Sequence, residues 1–195
     1  EKVVAEITAK APNHAPLAVV ATTGSGRVLA AKYLHTDLTI DEISAQSLSC
    51  GYFFPECDTI IEIGGQDSKF IKMDNGTISN FKMNRACAAG TGSFLEEQSN
   101  RLKISIKEEF ADLAFKSLHP VKLGSRCTVF MDSDLVHHLQ RGAKTEDLCA
   151  GLAYATCENY IEKVAGSSKF GKNIVFQGGV AKNRAVGAVF EKLLK

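Results

Sequence analysis

Two stretches of the chain end a strand in a pair of glycines. In the first, Ile60-Ile61-Glu62-Ile63 runs into Gly64-Gly65-Gln66-Asp67, and a second strand follows from Ser68 to Lys72. In the second, the strand Asn173 to Phe176 runs into Gln177-Gly178-Gly179-Val180-Ala181-Lys182-Asn183. Without a Cβ at either glycine, the backbone amides of such a turn are open to the close approach of a phosphate. A third glycine loop, Gly90-Thr91-Gly92, leads into a helix over Ser93 to Leu102, where free N–H groups and the helix dipole favour negative charge. Asp67 suits a magnesium ion or its waters, because that ion prefers hard oxygen ligands, and Lys69 suits a phosphate. Each has a plain alternative: a turn that only turns, an aspartate bonding its own backbone, a solvated strand lysine. Three such loops in one chain weigh toward a phosphate-bearing ligand more than any one alone.

Thiols are the second chemistry on offer. The six cysteines, at 50, 57, 87, 127, 149 and 157, show no CxxC and no dense disulfide spacing, so most read as free thiols in a reducing compartment. Cys87 and Cys127 share a setting the other four lack, a polar or glycine-bearing loop just ahead of a helix. Two thiolates do not complete the four-ligand set of an iron–sulfur cluster or a structural zinc, so a metal reading requires a two-fold dimer. The other reading is a pair of small buried hydrophobes. Cys149 and Cys157 fall in a helical pattern and read as core; Cys50 and Cys57 also read as structural. His137-His138 has no partner at helical spacing, and no Ser/His/Asp or paired-carboxylate arrangement stands out.

The elements that must position these residues follow from pattern and punctuation. Glu1 to Lys10 reads as the tail of a helix, and Leu17 to Ala21 as a short strand ending in a strand-to-helix turn at Thr22-Thr23-Gly24-Ser25-Gly26. Asp37 or Thr39 is expected to cap a helix over Ile40 to Cys50, with Gly51 to Pro55 a loop. Asn75-Gly76 supplies the positive-φ turn of a hairpin whose returning strand is Thr77 to Met83. Further expectations are a helix over Ile106 to Ser117, a strand at Val121-Lys122-Leu123, and a helix over Val129 to Gln140. A long helix capped by Thr145 should run from Glu146 to about Val164, and a last one from Asn183 to Lys195. No internal repeat or low-complexity segment is visible.

At 195 residues and 45% apolar the chain can bury a real core. Its 23 basic and 22 acidic residues leave a net charge of +1, with no basic run interleaved with aromatics, which argues against nucleic acid. No apolar run approaches a membrane span, and the lack of a signal segment favours the cytoplasm.

Four segments, IEIGGQDSKF, MNRACAAGTGSFLEEQ, SRCTVFMDSDL and FQGGVAKN, in this order, resemble the ATPase family that activates 2-hydroxyacyl-CoA dehydratases and includes the benzoyl-CoA reductase ATPase subunits (BadF/BadG/BcrA/BcrD type). The resemblance runs from about Asp58 to the C-terminus, and the long form of the second segment is similar to larger members in which ATPase modules occur in tandem. It implies an α/β fold of the actin/Hsp70/sugar-kinase type with ribonuclease-H-like lobes and ATP or ADP in the cleft between them. Gly64, Gly65, Gln66 and Asp67 would form the second phosphate loop, with Lys69 beside it. Gly178, Gly179 and Asn183 would form the adenosine loop, with Gly90, Thr91 and Gly92 close to the nucleotide. Asp67 would be the catalytic carboxylate through Mg2+. The family's cluster cysteines fall on Cys87 and Cys127, implying one [4Fe–4S] cluster shared across a homodimer. The implied activity is ATP-gated transfer of a low-potential electron from a ferredoxin or flavodoxin to a dehydratase or reductase partner. An Asp-x-Gly-Ser hairpin ahead of the first strand and a final strand and helix are not found, so the 195 residues read as a fragment, incomplete at both ends, of one ATPase module. Glu62 stands where many members have aspartate. Two competing functions are a nucleotide-sensing scaffold module without full ATPase activity and a small-molecule kinase of the same fold.

Overall fold

The computed structural model describes residues 19–84, 88–124 and 127–195, and the chain divides into two compact units, Glu1–Ser49 and Cys50–Lys195. In the first unit, helix α1 (Arg27–Leu34) ends at His35, whose φ of 51° is left-handed, and helix α2 (Glu42–Phe53) begins after Asp41 and continues past Ser49, the last residue of that unit. The Asp41 carboxylate accepts the Ile43 and Ser44 amides at 3.1 and 3.0 Å, so Asp41 caps this helix and neither Asp37 nor Thr39 does. Of the strand expected over 17–21, residues 19–21 form none; Thr22 makes only an isolated parallel bridge to Thr39.

The second unit is built on one sheet, ordered β3-β2-β1-β4. Strand β1 (Thr59–Ile63) is buried at all five residues, as suits a central strand covered on both faces. It pairs antiparallel with β2 (Ser68–Asp74), placing Ile61 opposite Phe70, and parallel with β4 (Ile174–Gln177), placing Ile61 opposite Phe176. Asn75 and Gly76, at φ of 49° and 77°, close the hairpin from β2 to the exposed edge strand β3 (Thr77–Met83), as Asn-Gly predicts.

Against the sheet pack α3 (Gly92–Arg101), α4 (Phe110–Lys116), α5 (Thr128–Gln140), α6 (Thr145–Asn159) and α7 (Arg184–Leu193). Phe70, Phe94, Leu95, Phe110, Leu148 and Tyr160 belong to one continuous core. Helix α6 is buried along nearly its whole length, including Cys149 and Cys157, and ends in a π-helical turn, Tyr160–Ala165. It begins at Thr145 itself, so Thr145 is a helical residue and not its cap.

Other boundaries shift for local reasons. Helix α2 continues through Gly51 to Phe53, two residues before Pro55, so the loop expected from Gly51 starts later. The helix expected from Ile106 starts at Phe110, because the Glu109 carboxylate accepts the Ser105 amide at 2.7 Å and the Ser105 hydroxyl accepts the Glu108 amide at 3.2 Å, closing a turn first. Val121-Lys122-Leu123 is not a strand; the Val121 amide bonds the Asp147 carbonyl at 3.1 Å. Helix α7 stops at Leu193, two residues short of the expected end.

Candidate functional site

Strand β1 delivers its glycine pair to the end of the sheet, where the Gly64 amide closes the turn onto the Asp67 carbonyl at 2.9 Å. The loop before α3 is stitched to this turn. The first two amides of α3, Gly92 and Ser93, donate to the carbonyls of Gly64 and Gly65 at 2.8 and 2.9 Å. Two of the four N-terminal donors of that helix are therefore used inside the protein, while the helix dipole still points its positive end at the turn. The Ser68 hydroxyl donates to the Gly90 carbonyl at 2.9 Å, and the Thr91 hydroxyl to the Ala88 carbonyl at 2.6 Å, so Gly90 and Thr91 shape the loop from within.

Behind the turn lies a buried cluster of charges. Lys69 is 3% exposed, and its ammonium bonds Glu62 Oε2 at 3.1 Å and Asp67 Oδ1 at 2.9 Å. Burial opposes the charge on Lys69, but the two carboxylates outweigh it and hold the amine's pKa above its ordinary value. The Tyr160 hydroxyl donates to the Lys69 carbonyl at 2.8 Å, and burial pushes that phenol's pKa up.

The second glycine pair follows β4, which lies beside β1, so the parallel pairing brings the two turns together. Gly178 has φ of +92°, and a Cβ there would lie 2.4 Å from the Ile63 carbonyl oxygen, which restricts the position to glycine. A single 3₁₀ turn, Gly179–Lys182, leads to Asn183, whose Oδ1 caps α7 by accepting the Ala185 and Val186 amides at 3.1 and 3.4 Å. Its Nδ2 is buried with no hydrogen-bond partner among the described residues.

The two turns border one cavity of about 500 Å³, lined among others by Gly65, Gly92, Leu95, Gly179 and Asn183. Four sequence-predicted residues, Gly65, Gly92, Gly179 and Asn183, thus meet at one wall. Gly64 and Gly178 support that wall; Gln66 is exposed on the turn, while Asp67 and Lys69 sit in the ion cluster. The rest of the lining was missed. Ile106 and Ala111 give it an apolar patch, and Arg184, ion-paired with Asp112 and 5.8 Å from the centre of the Phe115 ring, lines the cavity as well. Arg184 directly follows the predicted loop and was open to inference; Ile106 to Asp112 carry no motif.

Cys127 is exposed and stands at the start of α5, its carbonyl accepting the Phe130 and Met131 amides at 3.0 and 3.1 Å. Cys87 lies outside the described residues. The remaining four cysteines are buried, and burial raises the thiol pKa of Cys50 and of Cys149 to about 12 and that of Cys157 further. Among the described residues no group of three or more His, Cys, Asp or Glu is gathered as a metal site, and no helix is long and apolar enough to cross a membrane.

A family model described as the BadF/BadG/BcrA/BcrD ATPase family matches residues 1–195. The (R)-2-hydroxyglutaryl-CoA dehydratase activating ATPase of Acidaminococcus fermentans is 36% identical over 156 residues, 80% of this chain and 59% of its own length. The solved activator of the 2-hydroxyisocaproyl-CoA dehydratase from Clostridium difficile, with ADPNP bound, superposes with a TM-score of 0.82 at 35% identity, covering 90% of this chain and 64% of that one. The chain thus spans about three fifths of the length of these relatives. Ethanolamine utilization protein EutJ from Carboxydothermus hydrogenoformans, of the actin/Hsp70-like type, matches at a TM-score of 0.57 and 15% identity, a likeness of fold alone. The fold expected from the sequence is the one observed.

Proposed function

The chain belongs to the BadF/BadG/BcrA/BcrD ATPase family, and on that premise we propose that it is the nucleotide-binding part of an ATP-dependent activator of a CoA-ester dehydratase or reductase, coupling ATP hydrolysis to electron delivery. The observation that carries this reading is the convergence of both glycine pairs, the start of α3 and the orphaned Asn183 amide on one cavity. A buried N–H without a partner costs about 1–3 kcal/mol, a penalty a ligand acceptor in the cavity would remove. In this reading the phosphates lie along Gly65 and the positive end of α3, and the nucleoside lies against Gly179, Asn183 and the apolar patch of Ile106 and Ala111. Asp67 would hold a magnesium ion or its waters, and Lys69 holds Asp67 and Glu62 in place from behind. Gln66, Gly90 and Thr91 set the shape of the turn that meets the phosphates.

Cys87 and Cys127 are the proposed ligands of a [4Fe–4S] cluster, two from each subunit of a homodimer. The thiols fit unequally: Cys127 is accessible at a helix N-terminus, where a thiolate is favoured, whereas Cys50, Cys57, Cys149 and Cys157 are buried. Such a cluster would supply one low-potential electron to the partner enzyme, with a ferredoxin or flavodoxin as the proposed donor.

Anaerobic reconstitution with iron and sulfide, together with Mg-ATP titration, tests the reading. About two irons per subunit in a dimer are expected, lost in Cys87→Ser and Cys127→Ser and kept in Cys149→Ser. Asn183→Ala should weaken ATP binding at unchanged iron content. Equal iron in all three cysteine variants removes the ligand assignment, and unchanged ATP affinity in Asn183→Ala removes the cavity as the nucleotide site.

A further inference from the structure

We propose that Cys50 and Cys57 are a modification site, a thiol pair that closes to a reversible disulfide and ties the end of α2 to the entry of β1. The pair lies outside the residues assigned above to nucleotide and cluster. Helix α2 ends at Phe53, and its last turn is closed by the Phe54 amide, which donates to the Cys50 carbonyl at 2.7 Å. The Cys57 amide then donates to the Phe54 carbonyl at 2.9 Å, closing a four-residue turn with Pro55 at its second position, where the fixed φ of proline suits the geometry. Two successive turns thus reverse the chain and set the Cys57 thiol beside the Cys50 thiol. Both are free and buried, at 8% and 2% exposure. The other buried thiols of α6 are not so placed: Cys149 and Cys157, eight residues apart on one helix, stand about 12 Å apart along its axis, beyond the reach of a disulfide.

The oxidant of this chemistry is a small-molecule disulfide. Cys57 borders an open cavity of about 550 Å³, lined also by Phe53, Phe54, Lys172 and Ile174, and Cys50 does not. Cys57 is therefore the sulfur that reacts first. As thiolate it attacks one sulfur of the small disulfide, forming a mixed disulfide and releasing one small thiolate; the Cys50 sulfur then attacks the Cys57 sulfur and expels the second. Two protein thiols are oxidised, one disulfide is reduced, and the two protons end on the two small thiols. Burial, with the neighbouring Cys57 thiol, pushes the Cys50 thiol up to about 12, so the closing step is slow. The same burial makes the bond hard to reduce, because the dithiol gains little from ionising. In the reduced state the Cys57 thiol donates to the Thr59 carbonyl at 3.3 Å, at the first residue of β1. Oxidation exchanges that weak bond for a covalent one at the foot of the strand whose other end carries the first glycine pair.

Mass spectrometry of the full chain, reduced and then exposed anaerobically to oxidised glutathione, tests this without reading activity. Free thiols are alkylated in denaturant and the chain is cut after lysine and arginine. Cys50 and Cys57 then share the fragment 33–69, and Cys149 and Cys157 share the fragment 145–163. In more than about half of the molecules the first fragment should be lighter by two hydrogens and carry no alkyl group, while the second carries two. Dithiothreitol before alkylation should restore both alkyl groups to the first. Cys50→Ser should stop at a glutathione adduct on Cys57. Two alkyl groups on fragment 33–69 after oxidation overturn the proposal, as do glutathione adducts that persist there in the wild type, which would mean that the thiols reach the oxidant but not each other. Equal oxidation of fragment 145–163 also overturns it, since the placement of Cys50 and Cys57 would then count for nothing. The wild-type fragments decide the matter even where a serine variant fails to fold.

Discussion

The two glycine pairs look alike in sequence but are held in different ways. In each, the first glycine packs inward and the second is open: a Cβ at Gly65 or Gly179 would meet nothing within 4 Å. The inward members differ. At Gly64 a Cβ would touch the Asp67 carbonyl and the Asp67 and Glu62 carboxylates, each at 3.3 Å, and the backbone is not in a positive-φ conformation. At Gly178 the left-handed φ and the 2.4 Å approach to the Ile63 carbonyl act together. The first turn is thus shaped by polar contacts around it, the second by backbone against backbone. One lies between two antiparallel strands; the other must cross from β4 to α7 while hugging β1.

The sharpest test of that difference is alanine at the inward position. Gly178→Ala combines left-handed strain with overpacking against a backbone that cannot yield, and should lose about 2–5 kcal/mol of stability. Gly64→Ala requires shifts of only a few tenths of an ångström and should lose about 1 kcal/mol. Denaturant midpoints of the two variants against wild type measure this; equal losses would break the contrast.

The polar support of the first turn gives the next effect. Lys69→Met leaves Glu62 and Asp67 facing each other without their cation. The expected loss is about 2–3 kcal/mol, discounted because the Asp67 side chain is 34% exposed. The folded-state pKa of Lys69 is raised, so its contribution is fully present below about pH 10.4 and falls away as pH rises through the raised value. Melting curves of wild type and Lys69→Met should therefore converge in strong alkali and stay apart at neutral pH.

The strand that carries the second turn has an acid-sensitive support at its entry instead. Burial pushes the Asp58 carboxyl up, but hydrogen bonds from the Asn173 amide, the Thr59 hydroxyl, the Lys172 amide and the Lys72 ammonium outweigh it and bring its pKa to about 2. These bonds clasp the segment that enters β4. With a depressed folded value, the stabilisation is present above about pH 3.9 and is lost as pH falls toward 2. After screening of a side chain 30% exposed, its size is about 1–2 kcal/mol. Asp58→Asn should remove that part of the acid dependence, measured as the change in stability between pH 6 and pH 3.

Much of this architecture was legible because local chemistry determined it. Asn75-Gly76 demanded its turn, the apolar run at Ile60 demanded a buried strand, and both glycine pairs fell where strands ended. Features set by distant partners were not legible. That Lys69 bonds Glu62 and Asp67 instead of facing solvent depends on the register of β1 with β2, which places Glu62 opposite Lys69. That Val121 leaves the ladder depends on the Asp147 carbonyl, and Val121 packs against Gly151, where a Cβ would lie 2.4 Å from its side chain. The apolar wall of Ile106 and Ala111 shows no pattern of its own, because a cavity wall needs only the right shape. The Asn183 side chain was identified, but its division into a capping oxygen and an orphaned nitrogen required the helix it caps.

The outward glycines separate folding from binding. Neither Gly65 nor Gly179 has positive φ, so alanine is compatible with the backbone at both, and stability should stay within about 1 kcal/mol of wild type, with a slight gain where the unfolded chain loses freedom. A methyl group at either position would nonetheless stand on the cavity wall where, in the proposed function, phosphate or nucleoside meets bare backbone. ATP affinity should fall about tenfold or more, equivalent to about 1.4 kcal/mol, while the melting temperature barely moves. Calorimetric titration of Gly65→Ala and Gly179→Ala with Mg-ATP and with ADP divides the wall further. A phosphate contact at Gly65 should penalise ATP more than ADP, whereas a nucleoside contact at Gly179 should penalise both equally. Unchanged affinity in both variants would mean that the open glycines face solvent alone, and the resemblance between the two turns would then reflect only the geometry of leaving a parallel strand pair.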